Sequence, residues 1–152
     1  MEQRLNFQEK GPGALKGLFQ IGAYLRKSPI EESLRTLVEF RVSQINGCAY
    51  CLDMHSKDAR LHGETEQRLY GLSAWRETPF YTDRERAALA WAEAVTACHV
   101  PDETYKRVKE HFTDEELVDL TLAVSNINTW NRFNIAFSNP AVVGTYQPGQ
   151  FG

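Results

Sequence analysis

The chain has 152 residues, 42% of them hydrophobic and 24% charged, enough for one self-supporting globular domain. Its net charge of −3, with basic residues interleaved among acids as in Lys106-Arg107-Val108-Lys109-Glu110, argues against a nucleic-acid partner. Met1–Asn6 carries no signal-peptide core and no apolar run approaches ~20 residues, which predicts a cytoplasmic protein that does not enter a membrane.

The Gly11-Pro12-Gly13 breaker precedes a first apolar helix over roughly Ala14 to Leu25. Ser28-Pro29-Ile30-Glu31 reads as a capping box opening a second helix, with Leu34, Leu37, Val38, Val42 and Ile45 at the spacing of one face. Asn46-Gly47 ends it, since both residues tolerate the left-handed backbone of a helix stop. A third helix is predicted from Cys48 to about His62, and a short one over Thr65–Leu72. Ser73–Tyr81 then reads as an aromatic, turn-rich connector.

Thr82 with Glu85, and Thr113 with Glu116, are two further capping boxes, each opening an amphipathic stretch. Between them a helix starts at Pro101-Asp102-Glu103 and reaches about Phe112, and the tail after Asn139-Pro140 is irregular. No segment alternates at period two and no linker divides the chain. The expectation is a single all-α domain over 1–152, a bundle of about seven helices.

Chemistry concentrates in Asn46-Gly47-Cys48-Ala49-Tyr50-Cys51-Leu52-Asp53-Met54-His55. On a helix Cys51 lies roughly 60° around the axis from Cys48, and His55 falls between the two directions. All three side chains therefore share one face. Both cysteines are expected in the first helical turn, where unpaired N–H groups and the helix dipole favour a thiolate. His55, one turn past Cys51, is placed to take the thiol proton. Such a pair can reduce a peroxide through a sulfenic acid, close to a disulfide, and be reset by an external dithiol. Inert core cysteines and a zinc site remain as alternatives, but Cys98-His99 lacks the spacing of a second ligand pair. No cofactor and no metal are expected.

Ser43-Gln44-Ile45-Asn46-Gly47-Cys48-Ala49-Tyr50-Cys51 with Met54-His55 closely resembles the alkylhydroperoxidase D-like (AhpD-like) branch of the carboxymuconolactone decarboxylase superfamily. Trp75, Arg84–Leu89 and Asn128–Arg132 extend the likeness over about residues 30–137. The resemblance implies an all-helical fold, a homotrimer or homohexamer, and a thiol peroxidase acting on hydroperoxides. Cys51 would be the peroxidatic thiol, His55 its activator and Cys48 the resolving thiol. The reductant would be a lipoyl-bearing or thioredoxin-like protein. The superfamily's decarboxylases lack the cysteine pair, so its presence argues against decarboxylation.

Two positions depart from the family pattern. Thr36 stands where better-studied members carry a relay glutamate, and Glu39, one turn closer to the cysteines, is the candidate substitute. Glu39 could equally pair with Arg35 or Ser43. Tyr50 replaces a histidine of some members and is a candidate substrate contact or a packing residue. A weakened relay would make the chain a slow redox sensor or disulfide-exchange module instead.

Elsewhere, His62 and His111 suit helix ends, and Cys98 is expected in the core. Trp75, Phe80, Tyr81 and Trp91 are expected in core or interface, or else lining a pocket. Trp130-Asn131-Arg132 suggests a buried hydrogen bond or a subunit contact.

Overall fold

Helix α3 (Glu32–Asn46) is the hub of the computed structural model. It packs on α4 (Ala49–Leu61), α6 (Asp83–Thr96) and α8 (Asp114–Ala136). The described residues are 2–150; Met1, Phe151 and Gly152, the ends of the expected 1–152 unit, lie outside them. Among the described residues there are eight α-helices and no strand, so the protein is all-α. The others are α1 (Phe7–Lys10), α2 (Pro12–Leu25), α5 (Glu66–Gly71) and α7 (Asp102–Lys109). No helix of the described residues is long and apolar enough to cross a membrane.

The centrality of α3 follows from its sequence. Leu34, Val38 and Val42 recur every four residues and meet α6, α7 and α8 through Ala88, Val108, Leu120 and Val124. Leu37 and Phe40 point to a second cluster with Leu69, Leu72, Trp75 and Leu89. Each fully buried leucine or valine contributes roughly 1.5–3 kcal/mol, so a helix with two apolar faces becomes the centre. Trp75, Tyr81 and Trp91 are buried in these clusters, which settles them as core residues.

Both capping boxes at Thr82 and Thr113 form, with each hydroxyl accepting from the backbone N–H of Glu85 or Glu116 and each glutamate accepting in return. The expected box at Ser28 does not form. Helix α3 starts at Glu32, with Glu31 as its cap and no side-chain cap bond. The Ser28 hydroxyl instead donates to Asp119 Oδ2 at 2.5 Å, and Tyr24 donates to Oδ1 at 2.9 Å. Asp119 is only 1% exposed, so two strong donors for its buried carboxylate outweigh a local cap.

Other differences are smaller. The Ser73–Tyr81 connector contains most of a 3-10 segment over Leu72–Glu77, anchored by buried Leu72 and Trp75. Helix α7 stops at Lys109 as Phe112 turns into the core. Helix α1 is an extra turn, capped by Asn6 and held by the Phe7 ring 5.4 Å from that of Phe133. Cys98 is exposed rather than buried, with a left-handed φ of 54° just past the end of α6.

Candidate active site

The junction of α3 and α4 sets the site. Gly47 takes a left-handed φ of 70°, and the N–H groups of Gly47 and Cys48 bond back to Gln44 and Ser43 carbonyls at 3.3 and 3.1 Å. The chain thus leaves α3 and enters α4 with no intervening loop. Cys48 is the N-cap of α4 and Cys51 its third helical residue, so only Cys51 is inside the first turn. The two are disulfide-bonded with Cα atoms 5.3 Å apart, and each is 1% exposed.

Their surroundings differ. The Cys51 backbone N–H donates to Cys48 Sγ at 3.4 Å, so this amide at the helix start serves Cys48. Cys51 instead lines a cavity of about 390 Å³, and Asn134 Nδ2 of α8 donates to its Sγ at 3.6 Å. Sequence spacing could not reveal Asn134, which lies 83 residues away.

His55 is buried with its Nδ1 3.5 Å from Glu39 Oε2, while its Nε2 has no hydrogen-bond partner. Glu39 Oε1 faces Arg35 Nε at 3.9 Å. The carboxylate therefore spans the histidine and the arginine. Ser43 donates only to the backbone carbonyl of Glu39. Thr36 also lines the cavity, but its hydroxyl donates at 2.9 Å to the Glu32 carbonyl of its own helix.

Burial governs the electrostatics. Desolvation, reinforced by Asp58 and Glu32 and opposed by Arg35, pushes the Glu39 carboxyl up to about 7. Desolvation also drives His55 down to about 4, with Asp58 opposing and Arg35 adding to the fall. At neutral pH the imidazole is uncharged and able to accept a proton. The carboxyl beside it sits near its own midpoint.

The cavity walls are largely apolar, with Leu18, Phe19, Met54, Ile127 and Trp130 among them. Tyr50 is half-buried and also on the wall, and burial raises its phenol. The C-terminal tail closes one side, a contribution outside the 30–137 stretch that the sequence likeness covers. Tyr146 donates to both Asp58 oxygens at 2.8 and 2.9 Å, and Gly149 N–H reaches Oδ1 at 3.1 Å. Lys57 ties the tail's Gly144 and Tyr146 carbonyls at 3.1 and 3.0 Å.

The model of the carboxymuconolactone decarboxylase family matches residues 12–94. The uncharacterized protein YdfG of Bacillus subtilis is 47% identical over 93% of this chain and 98% of its own length. Among solved structures, ATU0492 of Agrobacterium tumefaciens superposes with a TM-score of 0.87 at 42% identity, over 91% of this chain and 97% of that one. It is a protein of unknown function with a provisional assignment as the antioxidant defence protein AhpD. The debrominase Bmp8, solved as a cysteine-to-alanine variant with 2,3,4-tribromopyrrole, shares the fold at a TM-score of 0.74 and 24% identity, over 87% of this chain and 72% of that one.

Proposed function

We propose, from the premise that the chain belongs to the carboxymuconolactone decarboxylase family as an AhpD-like member, that it is a thiol-dependent hydroperoxide reductase. The observation that carries this reading is the asymmetry of the two sulfurs. Cys51 borders the cavity beside an uncharged histidine backed by a carboxylate, while Cys48 sits behind it at disulfide distance.

His55 Nε2 takes the Cys51 proton and Nδ1 passes its own to Glu39. The Cys51 thiolate attacks the outer peroxide oxygen. The O–O bond breaks, Cys51 becomes a sulfenic acid, and the leaving alkoxide takes the relayed proton as an alcohol. Cys48 then attacks the sulfenic sulfur, its thiol proton passes to the departing oxygen, and water leaves as the Cys48–Cys51 disulfide forms. An external dithiol, lipoyl-bearing or thioredoxin-like, takes on the disulfide and restores both thiols. Tyr50 contacts the substrate from the wall. The enzyme works in a reducing cytoplasm as a homotrimer or homohexamer.

The test is peroxide consumption with a lipoyl or thioredoxin-type reductant. Wild type turns over repeatedly, and Cys51→Ser abolishes the reaction. Oxidation of the pair once per chain, with no further turnover, would sink the enzyme reading and leave a redox sensor.

A further inference from the structure

Helix α8 faces the cavity with Ile127, Trp130 and Asn134, spaced three and four residues apart on one stripe. An asparagine is a poor helix-interior residue, because its side chain competes for backbone hydrogen bonds. Asn134 does so here: Nδ2 donates to the Trp130 carbonyl, one turn back, at 2.9 Å. That bond fixes which way the amide is turned. A carbonyl accepts only from a donor, so the NH₂ group, not the amide oxygen, occupies this side. Its second N–H is left for the sulfur of Cys51 at 3.6 Å.

We infer that Asn134 is a further catalytic residue, a hydrogen-bond donor that α8 aims at the Cys51 sulfur to hold it as a thiolate. This rests on the reading of Cys51 as the attacking thiol. Sulfur is a weak acceptor in a thiol or disulfide and a strong one as a thiolate, so the bond tightens as charge appears. That is differential stabilisation of the reactive form. The need is specific to Cys51, because its own backbone N–H is spent on Cys48 Sγ. The helix start thus supports the resolving sulfur, and α8 supports the attacking one.

The charged and titratable groups around the cavity come from other elements. From α4 and its C-cap these are His55, Asp58, Tyr50 and His62; from α3, Glu32, Arg35 and Glu39. Arg26, just after α2, and Tyr146 of the tail complete the set. Helix α8 places no charge there, so replacing Asn134 by an uncharged residue leaves this electrostatic surrounding in place.

The experiment reads the thiol directly, without peroxide. In reduced protein carrying Cys48→Ser, the pH dependence of iodoacetamide alkylation is followed at the Cys51 peptide by mass spectrometry, which also separates it from exposed Cys98. Asn134→Leu keeps the shape and removes the donor. It should raise the Cys51 pKa by about one unit, a roughly tenfold slower alkylation below both pKa values, with the high-pH plateau within about twofold. Asn134→Asp puts an acceptor in the same place and should raise the pKa further. With the cysteine pair intact, the rate of Cys51 oxidation by a hydroperoxide should fall about tenfold in Asn134→Leu.

A Cys51 pKa unchanged in Asn134→Leu, with circular dichroism confirming the fold, overturns the inference. If Asn134→Leu fails to fold, Asn134→Ala, equally uncharged and equally without the donor, decides by the same criterion. The alkylation readout does not depend on turnover, so an inert wild type would refute the peroxidase reading and leave the outcome for Asn134 standing.

Discussion

Helix α3 carries two groups of polar residues that face its neighbours, and the fold treats them oppositely. Near its C-terminal end, Asn46 Nδ2 donates to Asn128 and Asn131 side-chain oxygens, both at 2.9 Å. Asn131 Nδ2 donates to Ser43 Oγ at 3.1 Å, and Asn128 Nδ2 reaches Thr96 and the Val124 carbonyl at 3.0 and 2.9 Å. One turn before Ser43, Glu39 and His55 meet at 3.5 Å while His55 Nε2 stays without a partner. The first group is built of uncharged side chains, joined by Arg132 Nη1 donating to Asn128 Oδ1 at 2.9 Å, with none of its fully buried polar atoms left without a partner, and it ties α3 to α8. The second is undersaturated and ionisable, so burial appears in it as displaced proton affinities. Unsatisfied bonding capacity beside a cavity is what marks the group available for chemistry.

Breaking each group should therefore damage different properties. The largest effect is expected for His55→Gln, which removes the proton acceptor. Its kcat/KM for a hydroperoxide should fall about a thousandfold with little change in melting temperature. Asn131→Leu should do the reverse. It removes one of the two acceptors of Asn46 and the donor to Ser43 and should destabilise by about 2 kcal/mol in urea titration, while Cys51 alkylation in the folded protein stays within about twofold.

A third test uses pH. Because the folded state raises Glu39 to about 7, this group lowers stability progressively as pH rises from its ordinary range through 7. His55, lowered to about 4, acts in the opposite sense, raising stability as pH climbs from 4 through its ordinary 6.5. Where the windows overlap the trends offset, and above 6.5 only the Glu39 decline remains. Glu39→Gln should delete that decline and gain roughly 2–3 kcal/mol relative to wild type at pH 8 compared with pH 4.5, read by urea titration at each pH. No relative gain at high pH would mean that the buried carboxyl is not the group responsible. The smallest effect is expected at Thr113→Ala, remote from both groups. Losing its cap should cost about 1 kcal/mol at any pH between 5 and 8 and leave turnover unchanged.

Local rules make much of the fold readable. The boxes at Thr82 and Thr113 form because every partner lies within three residues. Ser28 presents the same local pattern and fails, because Asp119, 91 residues away, binds its hydroxyl. The buried hydrogen bond suggested by Trp130-Asn131-Arg132 is found at Asn131, which is 0% exposed. Cys98 departs from its expected place in the core, since hydrophobic type says nothing about a left-handed helix exit.

For the site the division is equally physical. Residue order is enough to put Cys51 and His55 on one face, four helical residues apart, with Cys48 held next to them at the cap. It also limits the carboxylate to the neighbourhood of Glu39. Packing decides that Glu39 turns one oxygen to His55 and the other to Arg35, since that choice depends on how α4 lies on α3. The two sulfurs are separated as well: the local cap gives the helix amide to Cys48, and packing gives the Asn134 amide to Cys51. Packing closes the cavity with a tail that no motif marks. The Asn134 and tail contacts span 83 to 91 residues, and helical period carries no information over such separations.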